Sequence, residues 1–350
     1  MSLASANARH ALPLATAGIL SGRFAKWVCL YLAAAVLLAA LSLLVGTSSV
    51  GTSLGWLSAP DALSNVVLWD IRLPRTLGAW SGGALLGLAG AIAQSVFRNP
   101  LADPYLLGSA TGAALGVSLS LLVTDASLVS LAWMGQLGLT GAAFLGACAG
   151  VALTLALSRG VLETSSLLLS GVVVAYLLGA VTSLLCLRSQ ETWRAMQSFL
   201  LGSTDFLSWR AVELMSTVLV LGVPATAILS RGLDALSLGE ETTLSLGIAL
   251  PTLRLALLGI LSLTTAASVC QLGVIGFVGL VAPHLVREST PVNSRQLVVA
   301  APLCGGVLLQ AADLVSRWII RPSELPVGVV TACLGGTYLV VLLWRKARRE

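Results

Sequence analysis

Charge is scarce in this sequence: Asp, Glu, Lys and Arg make up 10% of its 350 residues, against 57% hydrophobic. With a mean hydropathy of +0.94 the chain cannot cover a water-facing surface, which excludes a soluble globular protein and leaves an integral membrane protein. Lysine occurs only as Lys26 and Lys346, neither preceded by glycine, and no GxxxxGK[ST] phosphate loop is present. If ATP drives anything here, another polypeptide binds it. Histidine is limited to His10 and His284, too few to line a path for bare zinc or manganese, which needs several converging ligands. The cysteines, Cys29, Cys148, Cys186, Cys270, Cys304 and Cys333, lack the spacing of a disulfide or zinc framework and read as small buried hydrophobes. Clustered nucleophiles and paired carboxylates, the marks of a membrane-embedded enzyme, are missing too. Asp313 stands alone as a plausible intramembrane carboxylate, fewer than an ion-coupled secondary transporter calls for.

What the chain does have is apolar runs. A hydrocarbon core of about 30 Å takes about 20 residues per helix, and the gaps between polar clusters leave room for roughly ten crossings. They are expected near residues 27–46, 73–96, 106–123, 135–157, 164–187, 210–230, 251–272, 274–286, 297–315 and 326–344. The fold class is therefore an all-α bundle. It has an N-terminal tail over 1–25, one transmembrane domain over 26–345 and a short C-terminal tail over 346–350. The eighth span is too short to cross as a lipid-facing helix and belongs inside the bundle. The 35 glycines recur through the spans, as at Gly82-Gly83, Gly87, Gly90, Gly146, Gly150 and Gly305-Gly306, and allow close helix approach. Ten crossings put both termini on one side. Most basic residues, including Arg23, Lys26, Arg98, Arg231, Arg254, Arg287 and the Arg345–Arg349 cluster, fall on that side, which the positive-inside rule makes cytoplasmic.

The opposite side receives Arg72, Arg75, Arg188, Arg194, Arg210, Arg317 and Arg321, which that rule does not explain. Arg188, Arg194 and Arg210 read as headgroup or local ion-pair residues. Arg72 and Arg75 flank Pro74, which fixes a helix start, and Arg317 ends another span. These three form a candidate external basic patch for an acidic partner. A short external helix is expected over 190–203, with Trp193, Met196 and Phe199 at helical spacing.

On the other side Asn99-Pro100-Leu101-Ala102-Asp103-Pro104 is a turn no lipid could accept. Pro100 and Pro104 stop helices while Asn99 and Asp103 can satisfy freed backbone. It is either structural or part of a gate, and Gln94, one turn earlier, either faces a pathway or bonds a neighbouring helix. Gln271, with the small polar residues of 165–181 and 262–272, either lines a weakly binding passage or packs helices. His284 is read as structural. The loop over 231–249 carries two short helical patterns broken at Gly239. Leu233 and Leu236 form one apolar edge, Leu244 and Ile248 another, and Asp234, Glu240 and Glu241 disfavour an anionic lipid surface.

Taken in order, these segments resemble a known family. Arg72-Leu73-Pro74-Arg75, Gly90 with Gln94, Asn99 to Pro104, Leu106-Leu107-Gly108, Leu238-Gly239-Glu240, Leu246-Gly247, Gly276 to Arg287, Ala312-Asp313 with Arg317, and Glu324 to Gly328 are similar to motifs of the FecCD or BtuC-like permeases. These are subunits of bacterial ABC importers for iron-siderophore, haem and cobalamin. Gly335-Gly336-Thr337-Tyr338 departs from the family pattern, which has a proline and an aromatic residue there, and implies a straighter last helix.

The resemblance implies an inner-membrane permease of the type II importer fold, paired with a second permease, identical or paralogous. Two ABC ATPases would carry ATP and Mg, and a periplasmic binding protein would deliver the cargo. No cofactor or metal is expected on this chain. The resemblance assigns docking to Arg72, Arg75 and Arg317, and ATPase coupling to Leu233, Leu236, Gly239, Glu240, Leu244 and Gly247. Gln94, Asn99, Pro100, Asp103, Pro104 and Gln271 are pathway or gate candidates. The expected cargo is a ferric siderophore, with haem or cobalamin as the alternative.

Overall fold

An apolar run surrounded by hydrocarbon satisfies its backbone by bonding it within the segment, which makes a helix. The computed structural model describes residues 22–44, 65–123, 132–158, 164–320 and 323–347, and within them all regular structure is helical. The helices are α1 (Gly22–Leu44), α2 (Leu73–Val96), α3 (Ser109–Val123), α4 (Ala132–Leu157), α5 (Thr164–Cys186), α6 (Gln190–Leu201) and α7 (Trp209–Ile228). They continue as α8 (Ser230–Leu238), α9 (Glu240–Ser245), α10 (Leu250–Leu272), α11 (Val278–Ser289), α12 (Ser294–Ile319) and α13 (Val327–Ala347). Eight of the described helices are long and apolar enough to cross a membrane. With α3 and α11, shorter at 15 and 12 residues, they account for the ten expected crossings.

Helix α2 is the axis of the bundle. Leu85, Leu86, Leu88 and Ile92 are wholly buried, and α7, α10, α11 and α12 all pack on this one helix. Glycine makes that density possible: a Cβ on Gly87 would lie 2.3 Å from the Ala301 carbonyl oxygen of α12. Such a seam suits a membrane, where helices gain from close van der Waals approach rather than from expelling water. A π-turn over Val67–Arg72 leads into α2, its Leu73 N–H reaching back to the Leu68 carbonyl. It comes just before Pro74, which has no N–H to give.

Both short helices start inside the protein. After α2 the chain turns at Arg98 (φ 48°), and a 3₁₀ turn over Pro104–Leu107 leads to α3. After α10 the chain runs without helix from Gly273 to Phe277, which holds a left-handed φ of 69°, before α11 begins. These two irregular stretches meet. The Tyr105 hydroxyl donates to the Ile275 carbonyl at 3.2 Å and accepts from the Ile275 N–H at 3.4 Å, and the Pro104 ring packs on Gly279. Irregular backbone at membrane depth is tolerated where protein satisfies it in this way.

Several boundaries differ from expectation for physical reasons. The span placed at 274–286 begins at Val278, because Gly273 and Phe277 take left-handed conformations that no helix continues. Helix α1 begins at Gly22, so the last residues of the expected tail are helical and Phe24 is buried. Residues 1–21, Arg159, Arg321 and 348–350 lie outside the described residues. Gly335 admits Phe277, since a Cβ there would stand 2.3 Å from the Phe277 Cβ, and Tyr338 donates to Glu288 at 3.2 Å and meets the His284 ring edge-on.

The tightest approach supplies a test. A Cβ on Gly90 would fall 1.7 Å from the Gly279 carbonyl oxygen, whereas one on Gly259 meets nothing within 4 Å. Denaturant titration in detergent should show Gly90→Ala costing about 1–3 kcal/mol and Gly259→Ala costing nothing.

Candidate functional site

At the N-terminal end of α2 the sequence places charges that hydrocarbon would reject. The fold gathers them. Asp313 of α12 is 0% exposed and Arg75 of α2 is 8% exposed. Arg75 Nε donates to Asp313 Oδ1 at 3.0 Å, and its Nη2 lies 2.9 Å from that carboxylate, 2.7 Å from Glu324 and 3.1 Å from Asp205. The Nη2 contacts are attractions between charges rather than aligned hydrogen bonds. Arg317 Nη2 donates to the other Asp313 oxygen and to the Ser42 hydroxyl, and Thr204 donates to Asp313 Oδ1. Ser42 in turn shares a 2.7 Å hydrogen bond with Thr76. One buried carboxylate thus ties together α1, α2, the α6–α7 connection and α12, with Glu324 reaching in from the α12–α13 turn. Burial pushes the Glu324 carboxyl above its usual range; Arg75 pulls it down and neighbouring Asp205 adds to the rise.

This corrects the expectation of an open basic patch. Arg75 and Arg317 are buried against carboxylates of their own chain because a bare guanidinium there would lack solvation. Arg72, half-buried with Nη1 on the Leu43 carbonyl at 2.8 Å, has no carboxylate partner among the described residues. The same geometry removes Asp313 as an ion-coupling carboxylate, since both its oxygens are engaged.

The opposite end carries α8 and α9, bent at Gly239, whose φ of 116° only glycine adopts without strain. Leu233 and Leu236, read as one apolar edge and given to ATPase coupling by the resemblance, face inward with 1% and 0% exposure and join the core around Leu257 and Leu258. Leu244, expected on the second edge, is exposed and forms the outer apolar edge with Leu238 and Leu246, while Ile248 packs against the core. A nine-residue helix lying on a bundle buries one face, and periodicity alone does not say which partner that face meets. Glu240 braces the bend, accepting from Arg254 at 2.6 Å and Arg98 at 3.5 Å, while Gly247 is exposed with φ 75°.

The pathway candidates do not form one cluster. Gln94 is buried, donating to the Leu280 carbonyl at 2.9 Å and accepting from Arg287, so it fastens α11 to α2. Asn99 and Pro100 are exposed; Asn99 and Asp103 accept from the Leu101 and Tyr105 N–H groups, and Pro104 is buried. Gln271 sits near the far end of α10, partly buried. The hydroxyls of Thr264 and Thr265 bond carbonyls of their own helix, as packing residues do. Sequence reasoning missed Ser42, Thr204 and Asp205. Their signal was weak: one serine within a span and a Thr-Asp pair between two others, meaningful only once α12 is set against α2.

Residues 32–345 match the FecCD transport family. The chain belongs to the FecCD transport family. The ferric enterobactin transport system permease FepG of Escherichia coli K12 is 34% identical over 293 residues, covering 83% of this chain and 86% of FepG. The hemin transport system permease HmuU of Yersinia pestis is 34% identical over 88% of this chain and 93% of its own. The cobalamin import permease BtuC of Halobacterium salinarum is 37% identical over 80% and 74%. A solved chain described as an inward-facing conformation of a metal-chelate type ABC transporter superposes with a TM-score of 0.80 at 29% identity, covering 92% of this chain and 99% of that one. This FecCD protein is a multi-pass permease of the metal-chelate class of ABC importer. It is a transport subunit and not an enzyme, with ATP hydrolysis carried by a separate subunit.

Two outcomes test the electrostatics. In denaturant titration Asp313→Ala, which takes from Arg317 its bonded carboxylate and from Arg75 one of three neighbouring carboxylates, should cost about 3–5 kcal/mol, whereas Arg98→Ala, losing a 3.5 Å exposed pair, should cost under about 1 kcal/mol. Burial raises the Asp103 carboxyl to about 6, its bond from Tyr105 opposing. The folded protein then holds that proton more tightly than the unfolded chain, so this residue's contribution to stability falls as pH rises from about 4 to about 6. Asp103→Asn should remove that share of the slope in thermal midpoint against pH, relative to wild type.

Proposed function

We propose that this permease moves a ferric siderophore from a periplasmic binding protein into the cytoplasm, along a path shared with a second permease subunit in the bacterial inner membrane. In this reading the Arg75–Asp313 end faces the periplasm, and the α8–α9 end and both termini face the cytoplasm, where two ATPase subunits sit. The observation that carries it is the polarity of the bundle. One end is a charge cluster tied into five parts of the fold, and the other is a glycine-bent helix pair with the exposed edge Leu238, Leu244 and Leu246. Such a pair suits a groove on an ATPase.

Docking falls first to Arg72, which keeps no carboxylate for itself among the described residues. Arg75 and Arg317 act behind it by holding the helix ends in place. The exposed face of α5, with Leu169, Val173, Tyr176 and Leu177, is apolar and nearly featureless, as suits a passage that must release its cargo. Two histidines in the whole chain favour a cation already wrapped in its chelator. A siderophore is favoured by the similarity to FepG. Similarity to HmuU and BtuC keeps haem and cobalamin as the second reading.

Uptake into vesicles holding the permease, its ATPase and one binding protein at a time should be ATP-dependent for a ferric siderophore and absent for haem and cobalamin. Uptake of haem or cobalamin alone overturns the cargo. Arg72→Glu should weaken capture of the loaded binding protein at low salt and leave ATPase assembly intact; unchanged capture removes the docking role.

A further inference from the structure

Arg287 stands in the last turn of α11. Among the described residues no carboxylate pairs with it; its Nη1 donates to Gln94, and the side chain is half-buried. It lines a polar cavity of about 330 Å³, walled by the end of α2 with Gln94 and Arg98, by α8 with Asp234, and by the turn into α12 with Asn293. Asp234 is already engaged, accepting from the Ser294 N–H at 3.0 Å across the cavity, and Arg98 leans to Glu240 at 3.5 Å. Arg98 also holds a left-handed φ of 48°, a conformation that non-glycine residues keep at a cost where a fixed placement is needed.

A half-buried guanidinium facing a cavity is costly unless an anion answers it. The charges on the walls define that anion. Glu240 serves Arg254 at 2.6 Å before Arg98 at 3.5 Å, so Arg98 and Arg287 against Asp234 leave the cavity short of a single negative charge, and the Asp234 carboxylate would repel a dianion such as phosphate. A lone carboxylate fits better. We propose that this cavity receives an acidic side chain of the ATPase subunit, which pairs with Arg287 beneath α8. This second contact beside the glycine-bent helices would tie the ATPase to α11 and, through Gln94, to α2. The proposal rests on the coupling role assigned above to α8 and α9.

The test uses the permease in lipid nanodiscs with its ATPase subunit, reading the dissociation constant against salt concentration. Arg287→Gln should weaken ATPase binding about tenfold or more and flatten its salt dependence, while Arg287→Lys keeps most of the affinity. Asn293→Asp keeps the N-cap of α12, where the Asn293 side chain accepts from the Gln296 N–H, and adds a rival carboxylate to the cavity wall. It should weaken binding without lowering the thermal midpoint, so the proposal stays testable if Arg287→Gln folds poorly. An acidic-to-lysine substitution on the ATPase that restores binding to Arg287→Glu would name the partner residue.

Leu244→Asp, on the exposed edge of α9, separates the two readings. Loss of ATPase binding in Leu244→Asp, with unchanged affinity in both Arg287→Gln and Asn293→Asp, overturns the cavity proposal alone. Full binding by Leu244→Asp overturns the coupling role itself. Stabilisation of the isolated wild-type permease, but not of Arg287→Gln, by inorganic phosphate, with ATPase affinity unaltered, would assign the cavity to a free oxyanion and also overturn the proposal.

Discussion

Asp313 is the group on which one end of this protein depends. A carboxylate with no exposed surface is tolerable only if cations and donors surround it, and here Arg75, Arg317 and Thr204 do so. Because those partners come from separate helices and connections, satisfying one charge fixes the relative positions of α1, α2, α12 and the α6–α7 connection. The cluster therefore acts as a clamp whose strength comes from the penalty of opening it. An arginine that the linear sequence offers for docking serves architecture in three dimensions.

The rest of the bundle obeys a complementary rule. Away from the clamp there is little charge to order the helices, so close backbone approach takes over, with glycine and alanine of α2 against α12. Where two irregular stretches enter the interior, Tyr105 supplies both the donor and the acceptor that Ile275 needs. These are two solutions to one constraint: in hydrocarbon, every polar backbone group must be answered by protein.

Much of this was legible in the sequence. The window of apolar residues located α2, α5 and α10 to within a residue or two, because length and hydropathy alone decide whether a segment spans. The bend at Gly239 and the short helix α6 were legible from local pattern. Direction was not. Leu233 and Leu236 lie on an amphipathic stripe that either the bundle or a partner could cover, and only packing against Leu257 and Leu258 shows that the bundle does. Arg75 and Asp313 are 238 residues apart, so nothing local pairs them. The left-handed Phe277, which delays the start of α11, carries no sequence signal of the kind glycine gives.

The two ends of this FecCD permease thus differ in kind, one closed by internal ion pairs and the other carrying an exposed apolar bend beside a cavity lined by Arg98 and Arg287. That difference is the physical content of a directional importer. Hydrogen–deuterium exchange on the nanodisc-embedded permease tests it most directly, with the ATPase subunit and the binding protein added separately. The expected result is protection of residues 238–247 by the ATPase alone and of the Arg72 and 203–205 segments by the binding protein alone. Protection of both ends by one partner, or of each end by the opposite partner, would contradict it.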